Sequence, residues 1–214
     1  MVSLVMTHDI SEAYLELAPT YNERLASCHY ITPNFVAYCL KGLTFEEKPT
    51  ILDLGAGTGL VGVRAEELEL DADFVAFDLS PAMLAQIPPR SLYTERRDGS
   101  IDEPLPFADE SFHAVVSAGL LEYVKCSRKY LDEVDRVLRK GGFVVFSYAP
   151  SSTEERETFD VGHEVFSHPQ VAILDHVFEK AYGMLGHTHF DAYVNNGNAV
   201  VHHLLVAQKP LEPS

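Results

Sequence analysis

Between residues 50 and 148 short apolar runs alternate with segments of helical spacing. Ile51–Leu54, Phe74–Phe77, Ala114–Ser117 and Phe143–Phe146 are continuous apolar or nearly apolar stretches, the pattern of strands buried on both faces. Leu60–Leu70 and Ser127–Leu138 repeat apolar residues at helical spacing, the second through Tyr130, Leu131, Val134, Val137 and Leu138. Ser80-Pro81 reads as an N-cap followed by proline in the first turn. Arg139 and Lys140 suit the negative end of the second helix, with Gly141 as the residue that closes it. Strands joined by helices predict crossovers, so the middle of the chain is expected to be α/β: a Rossmann-like, doubly wound, mostly parallel sheet.

The two ends differ. The N-terminal stretch reads as helical, punctuated by Pro19 and Thr32-Pro33, and Thr20-Tyr21-Asn22-Glu23 has the form of a capping box. Near the C-terminus, Gly186–Val194 and Ala199–Ala207 flank Asn196-Gly197, a two-residue hairpin turn signal. The expected organisation is one domain over 1–214. It comprises an N-terminal helical cap (1–48), a core (49–148), a loop and helix on the substrate side (149–185) and a C-terminal antiparallel hairpin (186–209). Ser151–Asp160, polar and acidic, is the segment expected to be mobile.

Composition narrows the function classes. The chain has 214 residues, with 32 acidic against 16 basic side chains and a net charge of −16. That excess repels phosphate backbones and anionic membrane surfaces, so nucleic acid and membrane are disfavoured as partners. No stretch is long and apolar enough for a bilayer span, and Met1–Ile10 lacks the form of a signal peptide. Cys28, Cys39 and Cys126 are odd in number and form no CxxC pair, so a reducing, cytoplasmic setting is expected.

The chemistry concentrates after the first strand, in Asp53-Leu54-Gly55-Ala56-Gly57-Thr58-Gly59-Leu60-Val61-Gly62. Glycines there permit a tight turn and close approach of a ligand, and the helix behind them presents unpaired N–H groups. Gly57-x-Gly59-x-x-Gly62 satisfies the dinucleotide pattern, and Asp78 follows Gly57 by 78 − 57 = 21 positions, close to the spacing of a ribose-binding acid. On these two features an NAD(P)-binding oxidoreductase is a direct rival.

The wider context favours another family. Ile51–Gly59 resembles motif I of the class I S-adenosylmethionine-dependent methyltransferases. Ala76-Phe77-Asp78-Leu79-Ser80-Pro81-Ala82-Met83-Leu84 resembles the second-strand segment of their small UbiE-like branch. Leu105–Val116 is similar to the stretch leading into strand four, and Leu131–Phe146 to the helix and strand-five segment. The Williams–Beuren-region methyltransferase-like proteins are a further group it resembles. The resemblance runs in order over residues 14–148. It implies seven strands, S-adenosylmethionine as cofactor and methyl transfer to a small-molecule acceptor. By the same resemblance Gly55, Ala56, Gly57 and Gly59 pass under the cofactor, and Asp53 lies near its amino group. Asp78 holds the ribose hydroxyls, and Leu79 and Met83 flank the adenine. Asp98 and Gly99 face the adenine amino group. Ser117 and Ala118 lie beside the methionine moiety, and Tyr21 closes over its carboxylate. His113 departs from the family's aspartate before strand four. Ser117-Ala118-Gly119-Leu120 is not the tetrapeptide of base-amine methylation, which disfavours DNA and RNA acceptors. A non-catalytic, cofactor-binding partner subunit is the remaining alternative.

In-line displacement needs a general base only when the acceptor arrives protonated, and no catalytic residue is identified. Candidates for a base or substrate contact are His29, Glu122, Tyr123, Tyr148 and His163. A two-residue hairpin turn would pair Asp191 with His202 and His189 with Leu204. His187, His189, Asp191 and His202 would then share one face, with His203 on the other. Cross-strand polar pairs account for such a face without a metal, and none is expected.

Overall fold

The computed structural model describes residues 10–124, 126–151, 156–158, 164–166 and 168–211. Helices α1 (Ile10–Leu17), α2 (Tyr21–Ser27) and α3 (Thr32–Gly42) precede the first strand. The core then runs β1 (Thr50–Leu54), α4 (Leu60–Glu67), β2 (Asp73–Asp78), α5 (Pro81–Leu84), β3 (Tyr93–Asp98), β4 (Phe112–Ala118), α6 (Ser127–Val137) and β5 (Leu138–Tyr148). Helix α7 (Gln170–Glu179) leads to β6 (Gly183–Asn195) and β7 (Asn198–Gln208). These seven strands form one sheet in the order β6-β7-β5-β4-β1-β2-β3. All neighbouring pairs are parallel except β7 with β5 and β6 with β7. Two small ladders, Pro150–Ser151 with His168–Pro169 and Arg156–Thr158 with Glu164–Phe166, lie between β5 and α7.

The sheet is covered on both faces, which explains the unbroken apolar strands. Alternate residues of β1 serve opposite cores. Leu52 and Leu54 pack with Tyr130, Leu131 and Val134 of α6 and Ile173 and Val177 of α7. Ile51 packs with Val36, Ala37 and Leu40 of α3 and Val61 and Ala65 of α4. Strand order reverses between β1 and β4, and the carboxyl ends of strands at such a reversal are the usual ligand position of these sheets.

Several local expectations need correction. Thr20 does not form a capping box; its hydroxyl donates back to Leu17 O (3.5 Å) because the 3-10 turn Ala18–Thr20 runs straight into α2. Gly141 does not close a helix. Helix α6 ends at Val137, Leu138 is already extended, and Gly141, at φ +72°, lies inside β5 where the ladder to β4 jumps from Phe112–Leu138 to Ala114–Phe143.

The hairpin register also differs. Asn196 and Gly197 both have positive φ, as a tight hairpin turn requires. A bulge between Asp191 and Tyr193 then shifts the pairing by one, so Phe190 opposes His202 and His189 opposes His203. The bulge arises where β6 docks on the α2–α3 turn: Ile31 N–H donates to Ala192 O (3.0 Å) and Val194 N–H to Cys28 O (2.9 Å). His203, not His202, therefore joins the His187–His189 face, with 3.2 Å between His203 Nδ1 and His187 Nε2. His202 turns to the opposite face.

Candidate active site

The loop after β1 curls because three glycines take positive φ: Gly55 at +68°, Gly57 at +55° and Gly59 at +79°, the last as N-cap of α4. Gly55 and Ala56 N–H groups both donate to Phe77 O on the neighbouring strand (2.8 and 3.2 Å). Gly57 N–H donates to Asp78 Oδ2 and Ser80 N–H to Asp78 Oδ1, each at 2.8 Å. The carboxylate at the end of β2 is thus locked against the loop while half its lone pairs remain open. Burial raises its pKa, and the two N–H donors oppose that rise. Ser80 caps α5 as expected, accepting from Met83 N–H (3.4 Å), with Pro81 behind it.

Other expected site residues surround this loop. Met83 is buried, and a Cβ on Gly57 would come within 3.4 Å of its Cε. Leu79 is exposed beside it. Asp98, exposed, ends β3; Gly99 N–H donates to Asp78 O (3.0 Å), and a Cβ at Gly99 would strike the Phe77 ring (2.6 Å). Ser117 is fully buried near the end of β4, and Ala118 O accepts from Tyr30 OH (3.2 Å). Tyr21 opens α2, which is tied to the loop by Thr58 Oγ1 donating to Asn22 Oδ1 (2.6 Å). Its ring meets Tyr14 edge-on at 6.0 Å, and Tyr14 meets Tyr123 at 6.4 Å. Burial, then the charges of Tyr123 and Asp78, push the Tyr21 phenol up.

Asp53 is enclosed beneath the loop. Its Oδ2 accepts from Tyr93 OH at 2.5 Å, and Tyr93 OH accepts from Gly62 N–H at 3.1 Å. Burial raises the Asp53 pKa to about 7, against the Tyr93 hydrogen bond, with the Asp78 charge adding to the rise. This network binds β1, β3 and α4 together.

Of the base candidates, Glu122 and Tyr123 lie in a 3-10 turn just after β4. Glu122 Oε1 accepts from Ala149 N–H (2.7 Å) past the end of β5. Tyr148 is buried, with its OH 3.0 Å from His187 Nε2 on the histidine-bearing face of the hairpin. His29 is exposed in the α2–α3 turn, at φ +58°. His163 lies outside the described residues, as does most of Ser151–Asp160. His113 sits at the opposite, amino-terminal end of β4: its Nδ1 accepts from Thr50 N–H (3.0 Å), and its Nε2 lies 2.8 Å from Glu47. Sequence reading missed Tyr14, Tyr30 and Tyr193, which carry no motif and reach the site only through the helical cap and the hairpin, and it placed His202 on the wrong face of that hairpin.

Comparison with known proteins agrees with this geometry: residues 52–146 match the methyltransferase domain family. The core thus resembles a methyltransferase domain. The chain is 34% identical over 149 residues to the demethylmenaquinone methyltransferase of Chlorobaculum parvum, covering 65% of this chain and 61% of the relative. It spans between 40% and 61% of the length of the first curated relatives it matches. Among solved structures it superposes with a TM-score of 0.74 and 16% identity on a chain from the complex of the Haloferax volcanii Trm112 methyltransferase activator with a methyltransferase, covering 96% of this chain and 100% of that one. A second, the Burkholderia thailandensis 1,6-didemethyltoxoflavin-N1-methyltransferase with bound S-adenosylhomocysteine, gives 0.67 at 16% identity, with 94% and 87% covered. Both likenesses concern the fold.

The cofactor that the sequence resemblance implies is S-adenosylmethionine. The residues present fit it. The loop curls on three positive-φ glycines, and Asp78 beside it retains acceptor capacity for a diol.

Proposed function

We propose that the chain transfers a methyl group from S-adenosylmethionine to a small-molecule acceptor. The observation that carries this reading is Asp78, fixed by Gly57 and Ser80 N–H groups opposite the glycine loop at the switch point of a methyltransferase domain. The bound cofactor would supply an electrophilic methyl group on a sulfonium.

Gly55, Ala56, Gly57 and Gly59 would form the floor, Asp78 would hold the ribose hydroxyls, and Leu79 and Met83 would enclose the base. Asp98 and Gly99 would lie at the adenine edge, and Ser117 and Ala118 beside the methionine end. Tyr21 would close the cap, and Asp53 would act from beneath the loop. The acidic charge and the aromatic lining support a small-molecule acceptor over nucleic acid. The three cysteines, all free, fit a cytoplasmic setting. Among the described residues no helix is long and apolar enough to cross a membrane.

Isothermal calorimetry with S-adenosylmethionine, S-adenosylhomocysteine and NAD tests the reading. We expect both sulfur ligands to bind and NAD not to. Tight NAD binding without S-adenosylhomocysteine binding would favour the oxidoreductase. Asp78→Ala should weaken cofactor binding by about 1.5–3 kcal/mol, the range of a hydrogen bond to a charged group. Unchanged affinity would place the ribose elsewhere.

A further inference from the structure

Near the carboxyl ends of β4 and β5, a buried histidine and a half-buried glutamate each hold a buried polar atom that the protein leaves without a partner. His202 on β7 is 4% exposed, and its Nδ1 has no hydrogen-bond partner. Its Nε2 lies 3.8 Å from Glu122 Oε1. Glu122 Oε2 is likewise buried without a partner, although Oε1 accepts from Ala149 N–H. Buried polar atoms are nearly always paired, so two orphans at one place point to a partner that arrives from outside.

The place matters as much as the atoms. His203 pairs with Tyr148, which sets His202 beside the carboxyl end of β5. Glu122 follows β4, the strand adjacent to β1. The Tyr193 ring meets His202 edge-on at 5.8 Å, the Tyr30 ring lies 6.0 Å from Tyr193, and Tyr30 OH reaches Ala118 O. Tyr193 and Tyr30 thus link His202 to the end of β4. Glu122 sits among tyrosines: its charge helps raise the pKa of Tyr30, Tyr123 and Tyr193.

Resting on the methyltransferase reading above, we infer that His202 is the proton acceptor of the transfer and Glu122 its positioning residue. The acceptor is then a protic nucleophile, an aromatic O–H or N–H compound, bound among Tyr30, Tyr123 and Tyr193. The acceptor heteroatom's lone pair forms the bond to the methyl carbon, the carbon–sulfur electron pair stays on sulfur, and the heteroatom's proton passes to His202 Nδ1. The resulting imidazolium faces the Glu122 carboxylate. A base held by a carboxylate on its other nitrogen is the recurring form of such a pair. Burial lowers the His202 pKa and Glu122 raises it in part, so the ring is neutral and able to accept a proton near pH 7. Its titratable neighbours are Glu122 and Tyr193, with His203 next along the strand on the opposite face.

The first test needs no substrate. Nitrogen-15 NMR of the imidazole rings in the full chain should show His202 at pH 7 with the proton on Nε2 and a bare Nδ1, titrating below an ordinary histidine. Glu122→Gln should lower that titration further. A proton on Nδ1, or a titration that Glu122→Gln does not move, overturns the proposal. The second test follows S-adenosylhomocysteine formation with a panel of phenols and N–H heteroaromatics beside aprotic nucleophiles, pyridines and dialkyl sulfides. Turnover should be confined to the protic members. It should fall about 100-fold or more in His202→Asn and His202→Gln, the scale of a lost general base. In Glu122→Gln the acid limb of the pH profile should move to lower pH, which a purely structural role would not produce. Equal turnover of aprotic acceptors, unchanged rates in the His202 variants, or no turnover of any protic member overturns the inference. Calorimetry on the same preparations separates the two readings: loss of all S-adenosylmethionine binding sinks the proposed function, whereas binding without these effects sinks only the role of His202.

Discussion

Asp53 shows how one carboxyl under the glycine loop can couple the site to pH. It is 1% exposed, and burial lifts its pKa from 3.8 to about 7. The folded chain therefore holds this proton more tightly than the unfolded chain does between those values. The group's contribution to stability is complete below the unfolded value and is lost as pH rises through about 7. Full ionisation would cost on the order of 4 kcal/mol at most. Asp53→Asn keeps an oxygen to accept from Tyr93 and removes the titration. Urea unfolding across this range should show the variant gaining on the wild type as pH rises. A gap independent of pH would show that the carboxyl is not desolvated as described. Asp53 was visible in the sequence as part of a motif, but its partner was not. Tyr93 lies 40 residues away, and only the β1–β2–β3 pairing brings it beneath the loop.

At the scale of elements, two helix glycines carry opposite expectations. Gly62 lies in α4 where a Cβ would come within 2.3 Å of Tyr93 Cε2; Gly42 ends α3 with nothing within 4 Å. Gly62→Ala should lose about 1–3 kcal/mol through overpacking. It should also loosen the Tyr93 hydroxyl that joins α4 to Asp53. Gly42→Ala should be neutral or gain up to ~1 kcal/mol from helix propensity. Thermal unfolding of the two variants checks both signs, and a destabilised Gly42→Ala with a tolerated Gly62→Ala would contradict the packing. What the sequence made legible follows the same division. The strands, the glycine loop, Asp78 and the Ser80 cap depend on neighbours within a few residues, and they were readable. The hairpin turn was readable, but the pairing beyond it was not. The bulge at Asp191–Tyr193 is imposed by the α2–α3 turn, some 160 residues distant in sequence, and its one-residue shift exchanges His202 for His203 on each face. The candidate proton acceptor was hidden for that reason.

For the whole molecule the charge excess becomes a stability argument. Acidic side chains outnumber basic ones 32 to 16, so even if every basic group paired with one carboxylate, half the carboxylates would lack a cationic partner. Ion pairs such as Arg128–Glu179 and Arg64–Glu67 are largely exposed, and exposed pairs contribute only about 0–1 kcal/mol each. Salt weakens these pairs, but it also screens the repulsion among the unmatched carboxylates, and the second effect has more terms. The Debye length falls from about 10 Å at 0.1 M to about 3 Å at 1 M, shorter than the spacing of most surface charges. The melting temperature should therefore rise as potassium chloride is raised over that range. Chloride is the right anion for the test, because sulfate would stabilise by exclusion from the surface whatever the charge. A melting temperature that falls with potassium chloride would mean that the paired charges, not the unmatched ones, dominate the fold. Cofactor binding should follow the same screening only weakly: Asp78 is largely enclosed between the glycine loop and Ser80, and enclosed charges feel salt far less than exposed ones.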